Sequence, residues 1–79
     1  MRARVTVTLK SGVLDPQGQA ITGSLRSLGF EGVSGVRQGK IFDLELGDVD
    51  PADARLNLAA MCEKLLANTV IENYAIELV

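Results

Sequence analysis

The 79-residue sequence predicts an α+β fold in the order strand, helix, strand, strand, helix, strand. Three observations carry that expectation. Apolar and polar residues alternate at both ends of the chain. Val5, Val7 and Leu9 stand against Thr6, Thr8 and Lys10, and Tyr74, Ile76 and Leu78 stand against Asn73, Ala75 and Glu77. Two Asp-Pro pairs, Asp15-Pro16 and Asp50-Pro51, each precede apolar residues at helical spacing. Between the two helical stretches, Gly32 to Gly47 returns to short alternating runs interrupted by Gly35 and Gly39.

The first strand is expected from about Arg4 to Lys10, with Ser11-Gly12 as the turn that follows. Asp15 before Pro16 then starts a helix. The carboxylate can accept the unpaired N–H groups of the first turn, and proline at the first helical position gives up no hydrogen bond. The helix is expected to run to Leu28, with Ile21, Leu25 and Leu28 on one face and Gly29 as a left-handed stop. Gly18 and Gly23 weaken this helix by up to about 1 kcal/mol each relative to alanine, which points to close backbone packing.

Phe42, Leu44 and Leu46 face opposite to Ile41, Asp43 and Glu45 in the next alternating run. Val33 and Val36 break strict alternation, so a bulge is expected near Gly35. A tight hairpin at Gln38-Gly39 competes with one long bent strand, and the hairpin is the reading preferred for a monomer. The second helix is expected from Pro51 to Ala67, with Ala54, Leu58, Met61 and Leu65 as its apolar stripe and Cys62 and Leu66 at the edge. Leu56 falls on the opposite side and hints at an interface. Asn68 can end the helix in place of glycine, and Ile71 to Val79 forms the last strand. The order fits a single two-layer, ferredoxin-like β-α-β-β-α-β domain over residues 1–79, with both helices on one face of an antiparallel sheet.

Size and composition narrow the function classes. A core in a chain this short rarely supplies more than about 3–5 kcal/mol unaided. One cysteine and no histidine exclude an intrachain disulfide and a His/Cys metal cluster. Self-association is the remaining support, so an obligate oligomer is expected. Eight basic and ten acidic residues give a net charge of -2, which argues against a nucleic-acid footprint. No apolar run approaches the roughly 18 residues of a membrane span, and strand pattern follows Met1-Arg2-Ala3-Arg4 directly. A cytoplasmic location is the expectation.

No catalytic constellation stands out. Gly32, Gly35 and Gly39 with Lys40 imitate a phosphate loop, but Ser34 and Ile41 occupy positions where that loop needs glycine and a hydroxyl residue. Cys62 has no imidazole base and lies beside the apolar stripe, where a buried structural thiol fits better. Asp43, Glu45, Asp48, Asp50 and Asp53 contain no pair singled out by spacing. Lys10, Arg37 and Lys40 read as surface charge. The cluster Asn68, Glu72, Asn73 and Tyr74, where helix gives way to strand, reads as a helix stop and a turn.

Two stretches taken together nevertheless resemble a known family. They are Val5-Thr6-Val7-Thr8-Leu9-Lys10 continuing into Gly12-Val13-Leu14-Asp15-Pro16-Gln17-Gly18, and Cys62-Glu63-Lys64-Leu65-Leu66-Ala67-Asn68 leading into Val70-Ile71-Glu72. With Leu28-Gly29 and Val36-Arg37-Gln38-Gly39-Lys40 between them, they resemble PurS, the small subunit of phosphoribosylformylglycinamidine synthase, over essentially the whole chain. Two positions depart from the family pattern: Thr69 stands where proline is common, and Asn73 where aspartate is common.

The resemblance implies a non-catalytic subunit of an ATP- and glutamine-dependent amide ligase of purine synthesis. A glutaminase subunit, PurQ, releases ammonia, and a synthetase subunit, PurL, activates the substrate with ATP. ATP, magnesium and glutamine would be used by the complex, with no cofactor on this chain. The chain would serve assembly and ammonia transfer as a dimer or a pair of dimers with shared or exchanged strands. The expected partner contacts are Lys10, Asp15, Pro16 and Gly18 at the first turn, and Asn68, Ile71, Glu72 and Tyr74 at the last. A ferredoxin-like small-molecule sensor of the ACT type is the alternative.

Overall fold

The computed structural model describes residues 1–79. Its elements are β1 (Arg2–Leu9), α1 (Pro16–Ser27), β2 (Gly39–Glu45), α2 (Pro51–Met61), a single π-helical turn (Cys62–Leu66) and β3 (Glu72–Leu78). The strands form one antiparallel sheet in the order β2-β1-β3, so the first strand is the central one. Val5 lies opposite Phe42 on one side and Ile76 on the other. The alternation read from β1 therefore sets one face of the whole sheet. Ala3, Val5 and Val7 are buried on that face beneath Leu58, Cys62 and Ala67. Phe42, Leu44, Tyr74, Ile76 and Leu78 pack around them from the flanking strands. Each fully buried Val or Leu contributes about 1.5–3 kcal/mol, and only 9 of 79 residues are buried, so this core is small.

The structure corrects four expectations. The strand expected before Gly39 does not form: residues 31–38 are irregular, and neither a hairpin at Gln38-Gly39 nor a bulge at Gly35 exists. Val33 and Val36, three apart, cannot share one face of a strand, and the chain here serves other bonds, described below. The sheet accordingly has three strands rather than four.

The two helices also do not share a face of the sheet. Only α2 and the π turn contribute helical residues to the core. α1 projects from the body, giving a molecule 49 × 25 × 15 Å, and leaves Ile21, Leu28 and the nearby Phe30 exposed. Three apolar residues interrupted by Gly23 form too narrow a stripe to hold a helix on a sheet, and α1 is anchored at its start instead.

The stripe of α2 differs as well. Ala54, Leu58 and Cys62 are buried at i, i+4, i+8, whereas Met61 is partly exposed and Leu65 is 83% exposed. The cause is the π turn, in which the Ala67 N–H reaches back to the Cys62 carbonyl at 3.0 Å. The wider turn brings Ala67 into the core and rotates Leu65 out. Finally, Asn68 is not a left-handed cap, because no residue other than glycine has a positive φ. Ala67 is already extended, and Asn68 instead folds its side-chain oxygen onto the Val70 N–H at 3.2 Å.

Other expectations hold. Both helices begin at their Asp-Pro pairs, with Asp15 accepting from Gly18 N–H and Asp50 from Ala52 N–H. Gly29 adopts φ +99° just past α1, a conformation that side chains resist. Leu56 is exposed and Cys62 fully buried.

Candidate partner-contact site

The two sequence stretches meet because β1 and β3 are neighbours. The Lys10 N–H, just past the end of β1, donates to the Ile71 carbonyl at 2.9 Å, just ahead of β3. The turn before β3 is built by its own residues. Ile71 and Glu72 N–H groups both donate to the Asn68 carbonyl, and the Glu72 carboxylate accepts the Asn68 N–H at 2.7 Å. Glu72 also faces Lys40 of β2 at 4.0 Å. With Asn68 tying down Val70, the turn closes without the proline that Thr69 replaces.

A third segment, Val36 to Lys40, joins this end of the molecule. Asp15, only 5% exposed, uses both carboxylate oxygens. One accepts the Gly18 N–H at 2.9 Å, and the other accepts the Gln38 N–H at 2.9 Å from across the loop. These bonds, chiefly the one from Gln38, hold the Asp15 carboxyl below its ordinary value, and the charge of Arg37 adds to them. Gly18 is buried against the same segment, and a β-carbon there would stand 2.1 Å from the Val36 carbonyl oxygen. Glycine at this position is thus explained by close packing.

Arg37 completes the junction. Its guanidinium donates to the Val13 carbonyl at 2.8 Å and the Lys10 carbonyl at 2.9 Å, with the Leu9 carbonyl at 3.5 Å. The Gln38 side-chain amide donates to the Gln17 side-chain oxygen. A polar cleft of about 250 Å³ runs along this end, lined by Asp15, Gln17, Gln38, Lys40 and Glu72. A second, of about 340 Å³, separates α1 from Ser34 to Arg37.

Of the eight expected contact residues, Lys10, Asp15, Gly18, Asn68, Ile71 and Glu72 converge on this end of the sheet. Pro16 is exposed on the first turn of α1. Tyr74 belongs elsewhere: it packs against the core on the α2 side, its hydroxyl 3.5 Å from Glu63. Partial burial and then the Glu63 charge push its phenol above the ordinary value. Asp15 and Gly18 spend their bonding groups within the chain, so their side of the junction is internal scaffolding. Arg37 and Gln38 were not distinguishable from surface residues in the sequence, because their partners lie 21 to 28 positions away. What the arrangement offers chemically is a hydrogen-bonding surface beside a projecting helix, with no nucleophile-base pair in it.

Comparison with known proteins agrees with this geometry. The family model for PurS, phosphoribosylformylglycinamidine (FGAM) synthase, matches residues 2–79. The chain is 55% identical over 76 residues to the phosphoribosylformylglycinamidine synthase subunit PurS of Mycobacterium leprae, covering 95% of this chain and 91% of that one. The crystal structure of Bacillus subtilis PurS superposes with a TM-score of 0.87 at 46% identity, over 96% of this chain and 94% of that one. A chain in the structure of PurLQS from Thermotoga maritima matches with the same TM-score at 32% identity, covering 96% of this chain and 93% of that one. The family matched along the whole length is PurS, the first of the two readings of the sequence. A three-stranded sheet with one packed helix, one projecting helix and the joined Asp-Pro and Asn-to-Glu turns is thus the frame of a chain that belongs to the PurS family of FGAM synthase.

Proposed function

We propose that this chain, as a PurS subunit of the FGAM synthase of purine biosynthesis, acts by assembly and carries no active site of its own. In this reading it joins the glutaminase subunit PurQ to the synthetase subunit PurL and supports ammonia transfer between them. ATP, magnesium and glutamine are handled by those subunits, and the chain works in the cytoplasm. The observation that carries the reading is α1. A helix held away from its own core, with Leu28 73% exposed and Phe30 58% exposed beside it, is a surface for another chain.

A second copy of the chain is the first such partner. Both outer edges of the sheet, on β2 and β3, have unpaired backbone groups, and a core cluster of six buried residues needs support. An edge of the sheet that pairs with the same edge of a copy would share its strands between the two chains. A dimer or pair of dimers follows.

Reconstitution tests the assembly role. Glutamine-dependent FGAM formation by PurL and PurQ should require this chain, while ammonia-dependent formation by PurL alone should survive its omission. Undiminished glutamine-dependent turnover without the chain would refute the role.

A further inference from the structure

The way α1 is held suggests a function for Asp15 and Arg37, whose hydrogen bonds all run within the chain's own junction. α1 contributes nothing to the core, and Leu25 is its one half-buried member of the apolar stripe. What ties it to the body is the junction between residues 9–18 and 36–38. Three fixings act there. The Arg37 fork spans carbonyls of Lys10 and Val13, on the chain leading from β1 to α1. The Asp15 carboxylate bridges the first turn of α1 to the Gln38 backbone, one residue before β2. The Gly18 backbone sits against the Val36 carbonyl, leaving no space for even a methyl group. Gly12 and Gly35 lie on either side, and neither is packed against other atoms. Without the fixings, both connections to α1 would be free to swing about glycine-containing segments.

We infer that Arg37 and Asp15 form a two-point lock that sets the angle of the α1 arm to the sheet, with Arg37 a positioning residue for assembly. A charged side chain that satisfies two or three backbone carbonyls in one plane is a rigid brace, which a flexible lysine ammonium does not reproduce. The brace acts on affinity. An arm that samples its docking angle for a tenth of the time binds about tenfold more weakly than one held there. The inference rests on the assembly role proposed above, and its test separates the two.

The test compares Arg37→Met, Arg37→Lys and wild type in two measurements. Hydrogen exchange reads the Gln38 and Gly18 amides, which are bonded to Asp15, against the Val5 and Val7 amides in the sheet. Titration into PurL and PurQ reads the concentration of the chain that half-restores glutamine-dependent turnover. Both variants should speed exchange at Gln38 and Gly18, leave Val5 and Val7 unchanged, and raise the half-restoring concentration by about tenfold or more at unchanged maximal turnover. Wild-type exchange at Gln38 and Gly18 in Arg37→Met would overturn the lock. So would normal assembly by Arg37→Lys, since that would make Arg37 a charge contact for a partner. Failure of wild type to restore turnover would instead refute the assembly role.

Discussion

The body and the arm of this chain are held together by different physics. The body buries side chains: Ala3, Val5 and Val7 of β1 lie under Leu58, Cys62 and Ala67, with apolar residues of β2 and β3 around them. The arm buries backbone groups and one carboxylate, through Asp15, Arg37 and the bare Cα of Gly18. Apolar burial is non-directional and scales with area, so the body tolerates small shifts and resists loss of volume. A hydrogen-bonded junction is directional, so it fixes an angle and fails when one partner is lost. The molecule thus keeps its stability in one region and its shape in the other.

That contrast can be broken most severely in the body. Leu58→Ala removes a fully buried side chain and should cost about 2–5 kcal/mol. Against a total of about 3–5 kcal/mol for a domain this small, the isolated chain should lose its urea transition. A second contrast pits two glycines of α1 against each other. Gly18→Ala drives a methyl group into the Val36 carbonyl and should cost about 1–3 kcal/mol, whereas Gly23→Ala meets open space and should stabilise by up to about 1 kcal/mol. Denaturant melts of the two variants should therefore move in opposite directions.

Acid should open the junction before the body. The Asp15 carboxyl is depressed below its ordinary value of 3.8, so the folded state favours its ionised form. Its stabilising effect is complete above that value and disappears as pH falls through the depressed one. Asp43, held down by its hydrogen bond and charge contact with exposed Arg4, loses its pairing in the same window. The Asp15→Asn variant isolates the junction's share, because the protection of the Gln38 amide, taken relative to its unstructured exchange rate, should already be low at neutral pH and change little on acidification. The smallest effect concerns chemistry. Burial, reinforced by the neighbouring Glu63 charge, raises the Cys62 thiol above its ordinary value. A thiol reagent should leave folded chain unmodified at pH 7 and label it stoichiometrically in denaturant.

The difference between the regions also explains what could be read from the residues alone. Both helix starts were legible because a capping carboxylate and a proline act within one turn. The strands at the two ends of the chain, β1 and β3, were legible because burial on one face imposes a period of two. The π turn was not, since Leu65 and Ala67 are both apolar and only the path to β3 decides which one enters the core. The missing strand before Gly39 was misread for a related reason. Val33 and Val36 resemble a weak strand, but the segment is committed by Arg37 and Gln38 to bonds with residues 9–17. Of the expected contact residues, those near Lys10 and Asn68 to Glu72 could be placed together only once β1 proved central. Tyr74 shares the half-buried face of β3 with Glu72, Ile76 and Leu78, as strand alternation requires, and lies further along the strand, where it packs against the core rather than at the turn.

The division between body and arm is tested most directly by the double variant Ile21→Ser/Leu28→Ser, at the two exposed apolar positions of the helical stripe. It leaves every core residue and every junction bond in place and removes only apolar surface from α1. The measurement is glutamine-dependent turnover with PurL and PurQ, read beside ammonia-dependent turnover and the exchange rates of the Val5 and Val7 amides. Loss of glutamine-dependent turnover, with the other two quantities at wild-type values, is the predicted result. Full glutamine-dependent turnover by this variant would contradict the account, because the arm would then have no part in assembly.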